Sequence, residues 1–253
     1  MTDPTERFSN RVDTYVRARP SYPPEVLDLL AEHCGLVPQA AVADVGAGTG
    51  ILTRLLLGRG ATVFAVEPNA VMRAAAEAAL GSEPGFRSIA STAEATTLPD
   101  RSIDQITAGQ AFHWFDPEPT RREWARILRP GGRVAMIWND RRATGTPFLE
   151  ACEQLLQTYS TDYASVNHRR ICEADLQAFF GSVPLQRAAF PYRQTLDLPG
   201  LEVRLVSSFY TPAPGQPGHV EMLAALATLF AEHQQAGQVH LDYDTTVFYG
   251  RLL

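Results

Sequence analysis

Lysine is absent: all 22 basic residues of the 253 are arginine. Schiff-base aldolases, pyridoxal-phosphate enzymes, P-loop nucleotide hydrolases and protein kinases each need a specific lysine, so these chemistries are excluded. An arginine-rich codon bias accounts for the absence itself, and the exclusions hold either way. Cysteine is scarce. Cys34, Cys152 and Cys172 are odd in number, widely spaced and form no CxxC pair, which excludes an obvious disulfide framework and suits a reducing cytoplasm. Long apolar runs are missing too. The longest, such as Val134 to Trp138, hold about five residues, too few for a membrane span. The opening MTDPTERFSN has no apolar stretch behind a basic start and does not read as a signal peptide. Nor is there a basic block: the net charge is −6, whereas a nucleic-acid or anionic-membrane partner wants a basic stripe. What is present is 45% hydrophobic and 20% charged residues, enough for a sizeable core and unlike a disordered or fibrous chain.

The spacing predicts an amphipathic helix over 4–18, with Phe8, Val12 and Tyr15 on one face, stopped by Pro20, Pro23 and Pro24. A second helix over 24–34 ends at Gly35. Strand and helix patterns then alternate. Strands are expected at 41–45, 62–67, 86–90, 102–108 and 133–138, and helices at 50–59, from the Asn69 cap to Leu80, and at 117–128. Pro130-Gly131-Gly132 reads as a tight turn into the fifth strand. Short apolar strands joined by helices argue for an α/β, doubly wound, mostly parallel sheet. Beyond Trp138 come helices at 147–159 and 173–180, a strand near 183–192, helices at 199–208 and 219–235, and a strand near 239–250. The last two strands are expected to pair antiparallel at the sheet edge. One domain over 1–253 is the simplest account: helices over the site in 1–35, a cofactor-binding core in 36–140, and C-terminal strands in 141–253 interrupted by a helical cap at 197–237. The segments 1–23 and 197–237 are expected to cover the site from two sides.

Asp44-Val-Gly46-Ala-Gly48-Thr-Gly50 follows a strand and opens a helix. Glycines are needed where the chain turns sharply and a ligand must approach bare backbone. Glu67 ends the next strand, 21 residues after Gly46, where a carboxylate can accept hydrogen bonds from both hydroxyls of an unphosphorylated ribose. The pair reads as an adenosine-binding unit. The dinucleotide fingerprint GxGxxG wants a small residue at position 51, but Ile51 stands there and the third glycine comes one residue early. Asp44 puts negative charge beside the turn, poor for a pyrophosphate and suited to a ligand carrying an ammonium and a sulfonium.

On these residues the segment resembles motif I of the class I S-adenosylmethionine-dependent methyltransferases, which implies a seven-stranded Rossmann-like sheet. Val66-Glu67-Pro68-Asn69 is similar to that family's ribose-binding turn, with Met72 where an apolar side chain packs near the cofactor. Ser91-Thr92-Ala93-Glu94 resembles the adenine-side loop, and Leu128 to Gly132 the turn into strand five. A narrower resemblance, to trans-aconitate methyltransferase and related small-molecule enzymes, rests on Tyr15 to Pro23, Gln110 to Phe115 and Tyr243 to Gly250. It implies a methyl transfer to a small-molecule acceptor, a carboxylate or hydroxyl.

The candidate cofactor-binding residues are therefore Asp44, Gly46, Gly48, Gly50, Glu67, Met72, Ala93, Glu94 and Gln110, with Tyr15 and Arg19 where the N-terminal helix would fold over the ligand. Arg19 is suited to a methionine carboxylate. His113, just past strand four, is the candidate general base; the alternative is a packed histidine shaping the pocket floor. Trp114 and the cap residue Tyr210 are assigned to the acceptor pocket. Asn139-Asp140 stands where catechol-type enzymes hold a metal, but no carboxylate between Ala108 and Phe115 completes such a site, so no metal is expected. Two other readings stay open: a non-catalytic cofactor-binding protein on the same scaffold, and a dinucleotide-dependent oxidoreductase. Replacing Glu67 by Ala removes two charge-assisted hydrogen bonds of about 1.5–3 kcal/mol each. Calorimetry should therefore show at least about tenfold weaker binding of S-adenosylhomocysteine, and an unchanged affinity would sink the adenosine assignment.

Overall fold

The computed structural model describes residues 19–160, 172–208 and 210–252. The helix expected over 4–18, with Tyr15, lies outside them.

The described chain begins the fold with helix α1 (Pro24–Cys34), whose Pro24 supplies a preset φ at the first turn and whose end is taken by Gly35 at φ 77°. Strand β1 (Ala41–Val45), α2 (Ile51–Gly58), β2 (Thr62–Val66), α3 (Ala70–Leu80) and β3 (Phe86–Ile89) follow. Asn69 caps α3 by accepting from the backbone N–H groups of Val71 and Met72 at 2.9 and 3.0 Å. Next come β4 (Ile103–Gly109), a 3₁₀ turn (Phe112–Trp114), α4 (Pro117–Ile127) and β5 (Leu128–Arg141). The C-terminal part holds α5 (Pro147–Tyr159), α6 (Glu173–Phe180), β6 (Gln186–Leu196), α7 (Leu198–Val206), α8 (His219–His233) and β7 (Val239–Gly250).

The strands form one seven-stranded sheet in the order β3-β2-β1-β4-β5-β7-β6. Strands β1 to β5 run parallel, and β7 pairs antiparallel with both β5 and β6. The sheet is thus Rossmann-like, with an antiparallel edge. Pro130-Gly131-Gly132 does turn the chain, but inside β5: Leu128 pairs with Ile103 and Arg133 with Gln105, so the intervening residues bulge out, with Gly131 at φ 87°.

Both faces of the sheet are covered. Alternate residues of one strand enter different cores: Ala43 packs with α4 and α6 through Trp124 and Phe179, whereas Val42 packs with α1 and α2 through Leu30 and Leu56. Two-sided burial is why these strands read as unbroken apolar runs. The start of β7 extends past β5, whose last partner is Tyr243. Helices α5, α7 and α8 pack on that extension, burying Leu149, Cys152, Leu201, Met222 and Leu226 with Leu241 and Tyr243. Helices α7 and α8 are therefore anchored beside the carboxyl end of β5.

The glycine at the head of α2 is a packing requirement. Gly50 has φ 83°, and a Cβ there would lie 2.6 Å from Leu80 Cδ1, a side chain only 1% exposed. Gly35 has a similar φ but open space around its Cβ position. Gly50→Ala should lower unfolding free energy by about 1–3 kcal/mol more than Gly35→Ala does, as read by chemical denaturation; equal losses would contradict the contact with Leu80.

Candidate functional site

The carboxyl ends of β1, β2, β4 and β5 open into a cavity of about 260 Å³, the position where open α/β sheets bind ligands. At its centre is the turn between β1 and α2. Gly46 at φ 71° has no room for a Cβ, which would meet Ala111 Cβ at 2.5 Å, so the turn lies flush against the segment after β4. Gly48 at φ 58° faces open space, with Met72 Cε 3.6 Å from its Cβ position; its bare backbone is exposed to the cavity.

Two buried carboxylates hold this turn. Glu67 accepts from the N–H of Gly48 through Oε2 at 2.9 Å and from the N–H of Asn69 through Oε1 at 2.8 Å. Each oxygen keeps a lone pair for a ligand hydroxyl. Burial raises the Glu67 pKa, while these backbone hydrogen bonds and Arg73 oppose the rise. Asp44 accepts from Thr53 Oγ1 at 2.6 Å and Thr107 Oγ1 at 3.0 Å. Burial pushes its carboxyl up to about 6, against the pull of the two threonine hydroxyls and with a further push from Glu67. Asp44 is thus a neutralisable charge locked into the strand ends.

Of the residues singled out in the sequence, Arg19, Asp44, Gly46, Gly48, Glu67, Met72, Ala93, Glu94, Gln110 and Trp114 line the cavity. Gly50 does not, because its contact is with α3. His113 does not line it either, although its neighbours Ala111, Trp114 and Phe115 do; its ring lies against that of Trp114, centroids 4.9 Å apart. Tyr210 packs at the edge of the cap cluster and is not in the lining. Asn139 is in the wall but serves the fold: Oδ1 accepts from Thr245 at 2.7 Å and Nδ2 donates to the Ser21 carbonyl at 3.0 Å. Among the described residues no group of three or more His, Cys, Asp or Glu is placed to hold a metal.

Sequence reasoning missed several lining residues. Tyr22 and Phe115 stood in stretches noted for resemblance, yet only the fold brings them to the wall. Tyr22 is clamped over Gly109, where a Cβ would lie 2.6 Å from its hydroxyl. Gln110 takes φ 58°, a conformation a non-glycine residue holds only when its surroundings impose it; its N–H donates to the Ile137 carbonyl and its side chain to the Asn139 carbonyl. Arg204, from α7, lines the cavity with no signal in the sequence. Among the described residues of 197–237 it is the one that lines the cavity.

Residues 43–136 match the family model for the methyltransferase domain. The matched stretch runs from β1 into β5 and includes the glycine turn and Glu67. Among known proteins, the chain is 46% identical over 136 residues to an uncharacterized methyltransferase of Mycobacterium tuberculosis, covering 53% of this chain and 52% of that protein; the shared stretch thus spans about half the length of that relative. A methyltransferase-like protein of Schizosaccharomyces pombe, also uncharacterized, is 29% identical over 246 residues, 95% of this chain and 93% of that one. A putative type II methyltransferase from Anaeromyxobacter dehalogenans shares the fold, with a TM-score of 0.69 at 20% identity over 93% of this chain and 98% of that one.

The residues present would fit S-adenosylmethionine, the methyl donor expected from the sequence: Gly48 would give it a bare backbone to approach, and Glu67 would keep a lone pair on each oxygen for a ribose hydroxyl. Asp44 adds a pH dependence. Its folded pKa of about 6 lies above the ordinary 3.8, so its ionisation costs stability as pH rises between those values, and an ammonium-bearing ligand offsets the cost. Affinity for S-adenosylhomocysteine should therefore rise as pH passes about 6 and flatten above it. Calorimetry on Asp44→Asn should show a flatter profile; two superimposable profiles would remove Asp44 from the binding equilibrium.

Proposed function

We propose that this protein is an S-adenosylmethionine-dependent methyltransferase that methylates a small-molecule acceptor, a carboxylate or hydroxyl. The observation that carries the reading is the double hydrogen bond by which Glu67 ties Gly48 and Asn69 together at the mouth of the cavity. It leaves acceptor lone pairs for a ribose, next to a glycine turn too tight for side chains. When bound, the cofactor supplies a methyl on a positively charged sulfur, which leaves as a neutral thioether once an acceptor lone pair has taken the methyl.

The chain's own residues bind and orient. Met72 and Ala93, both buried, would offer apolar surface to an adenine ring, with Glu94 in the same wall. Trp114 and Phe115 wall the far side of the turn, and an aromatic face suits a sulfonium. Holding an acceptor in line is worth roughly 7–11 kcal/mol of barrier, so positioning by wall residues such as Tyr22 and Gln110 is the main demand on the protein. Ile51 lines the cavity where a dinucleotide-binding turn has a small residue, which speaks against an oxidoreductase. The quoted stretches at Tyr15 to Pro23 and Tyr243 to Gly250 support a place near the trans-aconitate methyltransferases. The unpaired thiols of Cys34, Cys152 and Cys172 support a reducing, cytoplasmic setting.

The position of His113 outside the cavity lining favours the packing role for it. A true general base is worth roughly 10²–10⁴ in rate. His113→Gln should therefore keep single-turnover methyl transfer within about threefold of the parent, with a loss of a hundredfold restoring the base assignment. The proposal as a whole is tested by incubating the protein with labelled donor and a screen of acidic and phenolic small molecules, read by mass. Tight binding of S-adenosylhomocysteine with no labelled product from any acceptor would favour the non-catalytic reading.

A further inference from the structure

Among the described residues, Arg204 carries a buried charge without a counter-ion. The residue is 7% exposed, and a buried guanidinium is tolerated only when its donors are satisfied and its charge is met. Its Nε donates to Tyr243 Oη at 3.1 Å and its Nη1 to Ser208 Oγ at 3.2 Å. The guanidinium carbon sits 6.0 Å from the centroid of the Tyr243 ring. Tyr243 in turn donates to Gln194 Oε1 at 3.2 Å, which fixes the orientation of the whole group. Every one of these partners is neutral. Glu153, on α5 of the same cluster, is already engaged by Arg141, and among the described residues no carboxylate pairs with Arg204. Its Nη2 has no hydrogen-bond partner among them, and the side chain lines the cavity.

The placement of charge along the cavity points the same way. The lining carboxylates Asp44, Glu67 and Glu94 stand at the ends of β1 and β2 and just after β3. Arg204 enters from the opposite side, resting on Tyr243 of β7, with Arg19 close by: Arg19 Nη2 reaches the Ser207 carbonyl at 3.4 Å. The cavity is therefore acidic where the adenosine unit would lie and cationic beyond it.

We infer that Arg204 anchors a carboxylate group of the methyl acceptor, an inference that rests on the methyl-transfer reading. Tyr243 and Ser208 hold the guanidinium still, so its free Nη2 and the second Nη1 proton form a preset end-on pair of donors for a carboxylate. A neutral isostere leaves the charge unmet in a poorly solvated site, so discrimination against it comes from the protein side. Arg204 sets specificity and takes no part in bond making.

The test uses the full-length protein saturated with S-adenosylhomocysteine and a panel of small aliphatic and aromatic carboxylates beside their primary amides. Calorimetry should find acids that bind at least about tenfold more tightly than their amides, and in separate reactions free of S-adenosylhomocysteine the labelled donor should methylate an acid rather than its amide. Arg204→Lys should keep that preference. Arg204→Met should reduce it to within about twofold, leave S-adenosylhomocysteine affinity within about twofold, and not lower the melting temperature, because an unpaired buried charge has been replaced by an apolar chain. Amides that bind as well as acids, or a Met variant that keeps the acid preference, would overturn the inference. So would a tenfold loss of S-adenosylhomocysteine affinity in the Met variant, which would give Arg204 to the cofactor's own carboxylate. If the Met variant does not fold, the acid–amide comparison on the parent protein decides. A parent protein that binds no S-adenosylhomocysteine overturns the cofactor reading itself and this inference with it.

Discussion

Everything at the site depends on two carboxylates kept out of water at the ends of β1 and β2. Asp44 and Glu67 are 1% and 9% exposed, and each is retained because it is hydrogen-bonded inside the fold. Asp44 joins β1 to α2 through Thr53 and to β4 through Thr107. Glu67 joins β2 to the glycine turn through Gly48 and to α3 through Asn69. Together they set the turn's position relative to the neighbouring strands and the two helices. The same constraint explains the glycines: a turn gripped this closely, with Ala111 and Leu80 against it, has no space for side chains at Gly46 or Gly50.

From this fixed end the cavity runs across the sheet, and its chemistry changes along the way. Near β2 it is acidic with apolar walls, fit for a nucleoside and for positive charge. Past β4 the wall becomes aromatic, through Trp114 and Phe115, and the backbone of Gln110 is held at φ 58° by strand β5. On the β7 side it ends in a cation. The gradient follows from topology. The antiparallel β7 projects beyond β5, giving α5, α7 and α8 a surface to pack on. That packing delivers one arginine into a space that the parallel core alone would leave open.

The order of elements was legible in the sequence because each obeys a local rule. Asn69 before an apolar face, Gly35 after one, and five apolar runs at regular intervals report backbone conformations set by near neighbours. The pairing of Glu67 with the glycine turn was legible for a related reason: helix α2 and strand β2 separate them as one compact unit, so their spacing in the chain sets their spacing in space. Pro130-Gly131-Gly132 was readable as a turn, but its incorporation as a bulge within β5 depends on the register against β4, a non-local quantity.

What the sequence determined by itself was thus the alternation of strands and helices, the glycine turn with its acidic partner Glu67, and the exclusion of lysine chemistry. Tertiary structure alone decided which side chains share the cavity. His113 and Trp114 are adjacent in the chain, yet only Trp114 enters the lining, since a single tight turn after β4 sends neighbouring side chains different ways. Arg204 belongs to the site although nothing around it in the chain marks it. Its position is set by hydrogen bonds to Tyr243 and Ser208 and by the packing of α7 on a strand that follows much later in the chain. Contacts between distant segments leave no local pattern, because they are selected by the shape of the assembled core and not by the conformational preferences of the residues beside them.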